Sequence, residues 1–237
     1  MVRPMKFDPP LTNATLLRRY KRFLADIRFN DGTEATAHCA NPGSMMGLAE
    51  PGSSVWLSKS DNPKRKLAWS WELVDDGTSL VGVHTGKANA LVEDAINAGH
   101  IPELTGYKSL RREVKYGENS RIDLLLEDPE RPIAYVEVKS VTLSRTKGLA
   151  EFPDSKTARG AKHMAELAEM AKQGHRAVVF FLVQRSDCMS MQPAADIDPK
   201  YAESLTTALA AGVEVLCYSC RLTPDEIMLD RRLEVVI

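Results

Sequence analysis

Two short apolar runs in this 237-residue chain each carry a carboxylate where a strand core is normally hydrocarbon. Ser120-Arg121-Ile122-Asp123-Leu124-Leu125-Leu126 and Ile133-Ala134-Tyr135-Val136-Glu137-Val138-Lys139-Ser140 favour β structure. Between them Glu127-Asp128-Pro129-Glu130-Arg131-Pro132 is turn-rich, so the pair reads as two strands joined by a loop. Side chains alternate along a strand, which puts Glu137 and Lys139 on one face with Tyr135 and Ala134, Val136 and Val138 on the other. A carboxylate in so apolar a strand is costly to desolvate unless a cation or hydrogen bonds offset it. A divalent metal held by Asp123 and Glu137 meets that need, with Lys139 beside it. Hard oxygen ligands and a phosphate-bearing substrate suit Mg2+ or Mn2+. Glu-x-Lys also occurs as a solvated ion pair on exposed strands, so the rest of the chain has to decide.

Upstream, Leu16 to Phe29 is strand-like, Asn30-Asp31-Gly32 is a hairpin turn, and Thr33 to Ala40 returns as a second strand. Three more short strands are expected up to Ser60, from Leu67 to Val74 and from Ser79 to His84. Five strands with tight turns and almost no helix predict a small OB-like barrel, closed or partly open. Residues up to about Pro10 read as a loosely held arm. Arg18, Arg19, Lys21 and Arg22 surround Tyr20, and Lys64, Arg65 and Lys66 precede Trp69 and Trp71. Cations beside aromatics suit the phosphates and stacked bases of a nucleic acid. The alternative is a solvated edge with the tryptophans in the core.

These clusters matter because the net charge is only −1, so no overall basicity attracts nucleic acid. No apolar run reaches transmembrane length and no signal-peptide core is present. With four scattered cysteines, a reducing cytoplasm is the expected location. Cys217 and Cys220 form a C-x-x-C without a second pair nearby, in a strand-like setting that suits ordinary buried thiols.

From Thr85 the pattern changes. Asn89 to Ile96 is helical, with Asn89 as a candidate N-cap and Gly99 as its stop. A basic strand follows from Leu110 to Tyr116, then the acidic pair, then a helix from about Ser155 to Gln173 ended by Gly174. Lys156, Arg159 and His163 are spaced to share one helical face that could meet a phosphate, although a lone histidine there also reads as ordinary surface. Val178 to Val183 has the unbroken apolarity of a strand buried on both sides, Asp198-Pro199 opens another helix, and Val213 to Cys220 is a last inner strand. The reading is a mixed α/β sheet with flanking helices over residues 85–237, after a barrel over 1–84.

This order, with an acid on the second strand and Glu-x-Lys on the third, resembles the restriction-endonuclease-like core of the PD-(D/E)xK nucleases, although Arg121-Ile122 precedes the aspartate where that pattern has proline. Over nearly the full length, Asn41-Pro42-Gly43-Ser44-Met45, Thr85 with Asn89, Ser120 to Asp123, Glu137 to Leu143, Phe152-Pro153-Asp154, Arg159 to His163 and Asp198-Pro199 resemble the bacterial sugar fermentation stimulation protein A family. The resemblance implies an OB-like domain, a nuclease-type domain and DNA binding with little sequence preference. Glu93 falls where some nucleases of this type add a glutamate from the first helix, and the Val138 carbonyl is a further metal ligand by the same analogy. Lys139 would position the attacking water and stabilise developing charge. Three functions fit. The first is a metal-dependent nuclease, which the intact Asp/Glu/Lys set favours. The second is a non-catalytic DNA-binding regulator of sugar (maltose) utilisation, which the family label favours. The third is an RNA-directed nuclease, since such barrels accept either single strand.

Overall fold

Tight turns shape the first half of the molecule. In the computed structural model, which describes residues 4–117 and 120–237, β1 (Met5–Lys6) precedes β2 (Thr12–Tyr20), β3 (Leu24–Phe29), β4 (Glu34–Cys39), β5 (Ser54–Lys59), β6 (Trp69–Asp75) and β7 (Leu80–Gly82). Strands β4, β3, β2, β5 and β6 pair in that order, and a parallel β4–β6 ladder joins the two ends. The result is a closed five-stranded OB barrel with β7 added beside β6. Alternate residues fill it: Ala14, Leu16, Ala25, Ile27, Val55, Leu57 and Trp71 are each at most 1% exposed.

The run from Leu16 to Phe29, expected as one strand, is two. Lys21 and Arg22 adopt left-handed backbone angles (φ 46° and 65°) and residues 21–23 reverse the chain. Neither is Gly or Asn, so nothing in their side chains announces a turn. Hydrogen bonds to the Asp26 carboxylate on β3 hold it: Arg18 and Tyr20 donate across the hairpin from β2, and Thr36 donates from β4.

The second half contains α1 (Ala88–Asn97), β8 (Ser109–Tyr116), β9 (Ser120–Glu127), β10 (Ala134–Val141), β11 (Leu143–Thr146), β12 (Leu149–Phe152), α2 (Ala158–Lys172), β13 (Arg176–Val183), β14 (Ser190–Pro193), α3 (Pro199–Ala210), β15 (Glu214–Leu222), β16 (Glu226–Arg232) and β17 (Glu234–Val235). A seven-stranded sheet runs β1-β16-β15-β13-β10-β9-β8, with β10, β13 and β15 parallel. Helix α1 covers one face and α2 with α3 the other. Strand β13 sits in the middle: Val178, Phe180 and Leu182 join the α1 core, while Val179, Phe181 and Val183 join the α2 core. That double burial explains its unbroken apolarity. A smaller sheet, β11-β12-β14-β17, and β16, the second strand of the large sheet, had no strong sequence signal. Met5 and Lys6 pair with Ile227 and Glu226, and Phe7 is 7% exposed, so the expected loose arm is anchored from residue 5 onward. Its first three residues lie outside the described ones.

Helix α2 begins at Ala158, not near Ser155, because the Thr157 hydroxyl caps it by accepting from Gly160 N at 3.0 Å. Lys156 therefore precedes the helix and does not share its face. Polar clasps dock the barrel on the sheet. Arg185, 3% exposed, donates to Asp76 after β6 (2.6 Å), to both oxygens of Asp187 and to the Thr142 carbonyl. Met45 N donates to Asp154 Oδ2 (3.0 Å) and the Ser44 hydroxyl to the Asp154 carbonyl (2.6 Å). The Asp154 carboxylate lies so near Gly43 that a Cβ there would meet its oxygens at 2.3 Å, which explains the glycine.

Candidate active site

The antiparallel β9–β10 ladder stops just before the two acids. Leu126, Leu125 and Leu124 pair with Ala134, Tyr135 and Val136; continued by one step, the register would set Asp123 opposite Glu137. There the Val138 N–H donates to Asp123 Oδ2 at 2.8 Å, a side chain standing in for the neighbouring strand. Asp123 Oδ1 accepts from Asn89 Nδ2 on α1, also at 2.8 Å. Both carboxylate oxygens are thus aimed by fixed donors.

Glu137 is 2% exposed. Its Oε1 accepts from Lys139 Nζ at 2.7 Å and from His163 Nδ1 on α2. Arg159 Nε donates to His163 Nε2 at 3.2 Å, which leaves the histidine proton on Nδ1, facing Glu137. Among the described residues Glu137 Oε2 is buried without a partner, as are the hydroxyls of Tyr116 and Tyr201. An orphaned carboxylate oxygen costs free energy until a cation or water reaches it.

The electrostatics point the same way. Burial and the neighbouring Glu137 charge push the Asp123 carboxyl up to about 6, against the pull of Val138 N and Asn89. Burial also pushes Glu137 up, but the His163 hydrogen bond and the Lys139 charge outweigh it and hold that carboxyl down. Two buried acids, one ionised and one reluctant, are a strong sink for positive charge. Among the described residues no group of three or more His, Cys, Asp or Glu side chains is gathered for a metal. A Mg2+-type ion does not need one, because it keeps several waters and takes one or two carboxylates together with phosphate oxygens. The donor set fits such an ion.

Of the residues expected at the site, Asp123, Glu137, Val138 and Lys139 come together. Glu93 does not: it lies one turn beyond Asn89 and pairs with Arg112 on β8 at 3.5 Å. Asn89, expected as an N-cap, reaches Asp123 instead. His163, expected on a phosphate-facing surface, is 4% exposed against Glu137. Its signal was in the sequence, since Gly160, Met164 and Leu167 place it on the buried stripe of α2. Arg159 is spent partly on that histidine. Tyr116, at the end of β8, carries no pattern that marks it.

On the barrel, Arg19 turns inward and donates to the carbonyls of Asn41, Gly43 and Ser44, so it braces a loop and faces no phosphate. Arg18 is paired with Asp26 (2.8 Å), and Arg65 donates to the Ser70 hydroxyl (2.9 Å). Lys21, Arg22, Lys64, Lys66 and Lys156 remain exposed. Trp71 is core, while Trp69 is half-buried against Phe29. Cys217 and Cys220 are buried free thiols, and burial pushes Cys217 up to about 12. Among the described residues no helix is long and apolar enough to cross a membrane.

Residues 17–83 match the family model described as the SfsA N-terminal OB domain, and residues 86–226 match that of the sugar fermentation stimulation protein RE domain. The chain is 59% identical over 223 residues to a sugar fermentation stimulation protein homolog of Paramagnetospirillum magneticum, covering 94% of each. It is 60% identical over 231 residues to the homolog of Rhodospirillum centenum, covering 98% of this chain and 99% of that one. It is also similar to the solved structure of Pyrococcus furiosus SfsA in complex with Ca2+, with a TM-score of 0.90 and 28% identity over 100% of this chain and 99% of the other.

Proposed function

Because the chain belongs to the sugar fermentation stimulation protein family, we propose that it binds DNA with little sequence preference and cuts phosphodiester bonds at the Asp123–Glu137–Lys139 centre. The observation that carries this reading is Glu137, a buried carboxylate with one oxygen unpartnered, beside a second acid whose ionisation is suppressed. Asp123, Glu137 and the Val138 carbonyl would hold Mg2+ or Mn2+; Ca2+, present in the Pyrococcus furiosus relative, is a hard cation of the same ligand class. Such an ion supplies a water acidic enough to attack and relieves charge on the phosphoryl oxygens.

The chain's own residues do the rest. Lys139 carries a fixed positive charge to the phosphoryl group and orients the nucleophilic water. His163, braced by Arg159, holds Glu137 in one rotamer, and Asn89 does the same for Asp123. The exposed cations Lys21, Arg22, Lys64, Lys66 and Lys156 supply backbone affinity that is blind to sequence. In this reading residues 1–84 hold the strand and 85–237 cut it, and the four buried free thiols suit a reducing cytoplasm.

A second reading has its own observation. Glu93 is drawn off to Arg112, and Lys139 with His163 occupies Glu137 Oε1, an arrangement that also suits a non-catalytic DNA-binding regulator. Single-stranded, duplex and branched DNA, and RNA, incubated with Mg2+, Mn2+ or EDTA, separate the two. Calorimetric titration with Mn2+ accompanies that assay. The nuclease reading expects metal-dependent cutting and Mn2+ binding that Asp123→Ala or Glu137→Ala removes. No cutting of any substrate leaves the regulator.

A further inference from the structure

A cleft of about 320 Å3 opens where the barrel meets the sheet domain. It starts at Ser140, the residue after Lys139, at the carboxyl end of β10, where parallel sheets generally receive ligands. Arg22 lines it from the barrel and Lys156 from the opposite domain. Neither side chain has a hydrogen-bond or ion-pair partner among the described residues. The two acids in the lining are already engaged. Glu151 is held by Arg145 at 2.8 and 2.7 Å, and Asp154 by Met45 N at 3.0 Å. Arg22 and Lys156 are therefore the charges of the lining left without a partner among the described residues.

Its hydroxyls add direction. Ser140 Oγ accepts from Gln184 Nε2 (2.7 Å), so its own proton is free to donate; Thr85 Oγ1 donates to the Ala40 carbonyl (2.7 Å), so its lone pairs are free to accept. Arg22 is also one of four non-glycine residues described with positive φ, at 65°. Such strain persists where the surroundings fix it, and it often marks a functional position. The Arg185 and Asp154 clasps hold the two walls at one spacing.

We propose that this cleft takes one unpaired nucleotide of the strand being cut, its phosphate bridging Arg22 and Lys156, so that the protein selects single-stranded or frayed nucleic acid over intact duplex. The inference rests on the nuclease reading for the identity of the neighbouring site. The volume lies at the low end of the range for small-ligand pockets, about 300–1,000 Å3, which accommodates one nucleotide. A base that is paired and stacked in a duplex must first be drawn out of the stack before it can enter such a cleft.

The test is fluorescence anisotropy in EDTA, with one labelled sequence presented as single-stranded DNA, single-stranded RNA and intact duplex. Arg22→Gly, which keeps the left-handed backbone accessible, and Lys156→Gln should each weaken single-strand binding about tenfold while changing duplex binding less than about twofold. Each should also lower the single-strand salt slope by about 0.7. Lys64→Gln, outside the cleft, should weaken both forms alike. A deoxynucleoside monophosphate should displace the single strand at concentrations where inorganic phosphate does not. Loss on either sugar supports the cleft and identifies the preferred strand. Equal loss on single strand and duplex, no loss, or equal displacement by phosphate overturns it. Because this binding is measured without metal, failure of the cleft is distinguishable from failure of the nuclease reading: selective binding here, with no cutting when Mg2+ or Mn2+ is supplied, removes only the latter.

Discussion

Arg185 and Glu137 are both charges buried to within a few per cent of zero exposure, yet their surroundings are finished differently. Around Arg185 the account closes. Burial pushes the guanidinium down, but Asp187 and Asp76 outweigh it, and their own carboxyls are held below the usual range. Around Glu137 one oxygen has no donor among the described residues, and the neighbouring Asp123 is pushed up to about 6. The first cluster joins the barrel to the sheet and needs nothing more. The second is stable enough to fold but remains short of positive charge, a deficit that the proposed cation would relieve. Burial alone therefore does not single out a candidate site; incomplete neutralisation does.

The comparison can be broken at its closed side first. Arg185→Ala strands Asp76 and Asp187 without their cation and should cost about 3–5 kcal/mol in urea denaturation. A loss below about 1 kcal/mol would mean that solvent already reaches the cluster. At the open side, Lys139→Ala should lower metal-dependent cleavage by about 100-fold or more while Mn2+ titration is unchanged, because the lysine is no ligand. Undiminished cleavage by identically purified Lys139→Ala protein would assign the activity elsewhere.

Asp123 gives a smaller effect with a definite sign. Its folded value of about 6 is raised above the ordinary 3.8, so the stabilisation from this group is present at low pH and is lost as pH rises through about 6. Metal-free protein should thus melt higher near pH 4 than this group alone allows at pH 7. Asp123→Asn should flatten that dependence and add on the order of 2 kcal/mol at neutral pH. Mn2+ should stabilise wild type at pH 7 but not this variant. A wild-type melting profile that is flat over this window would count against the crowded pair. The smallest effect belongs to Glu93→Gln. Its pair with Arg112 is largely exposed, so stability should change by less than about 1 kcal/mol and Mn2+ affinity should hold. A fall in Mn2+ affinity would return Glu93 to the metal.

The acidic pair was legible because strand alternation is rigid: once Val136 and Val138 face one core, Glu137 and Lys139 must face the other. The OB barrel was legible from short strands between tight turns, and β13 from an apolar run that burial on both faces leaves unbroken. The turn at Lys21 and Arg22 was not, since its left-handed angles are imposed by cross-strand partners such as Asp26 and not by the residues themselves. Asn89 looked like a cap because the same amide that caps a helix can also reach a carboxylate on another strand. Arg19 looked like a phosphate ligand because sequence shows its charge but not the three carbonyls that receive it. Contacts between distant segments, such as Asp154 with Met45, leave no local pattern at all.

The two-residue pairing of β1 with β16 imposes an order on how the chain assembles during synthesis. Met5 and Lys6 leave the ribosome well before their partners Ile227 and Glu226. At about 5–20 residues per second, the barrel has on the order of 10 seconds to close before this anchor can form. Until then β1 has no partner strand, and without β1 the edge of β16 would stay open; open edges are where chains pair with one another. Removing residues 1–7 should consequently leave the barrel folded but make newly made protein aggregate, a defect visible in yield and not in the activity of what survives.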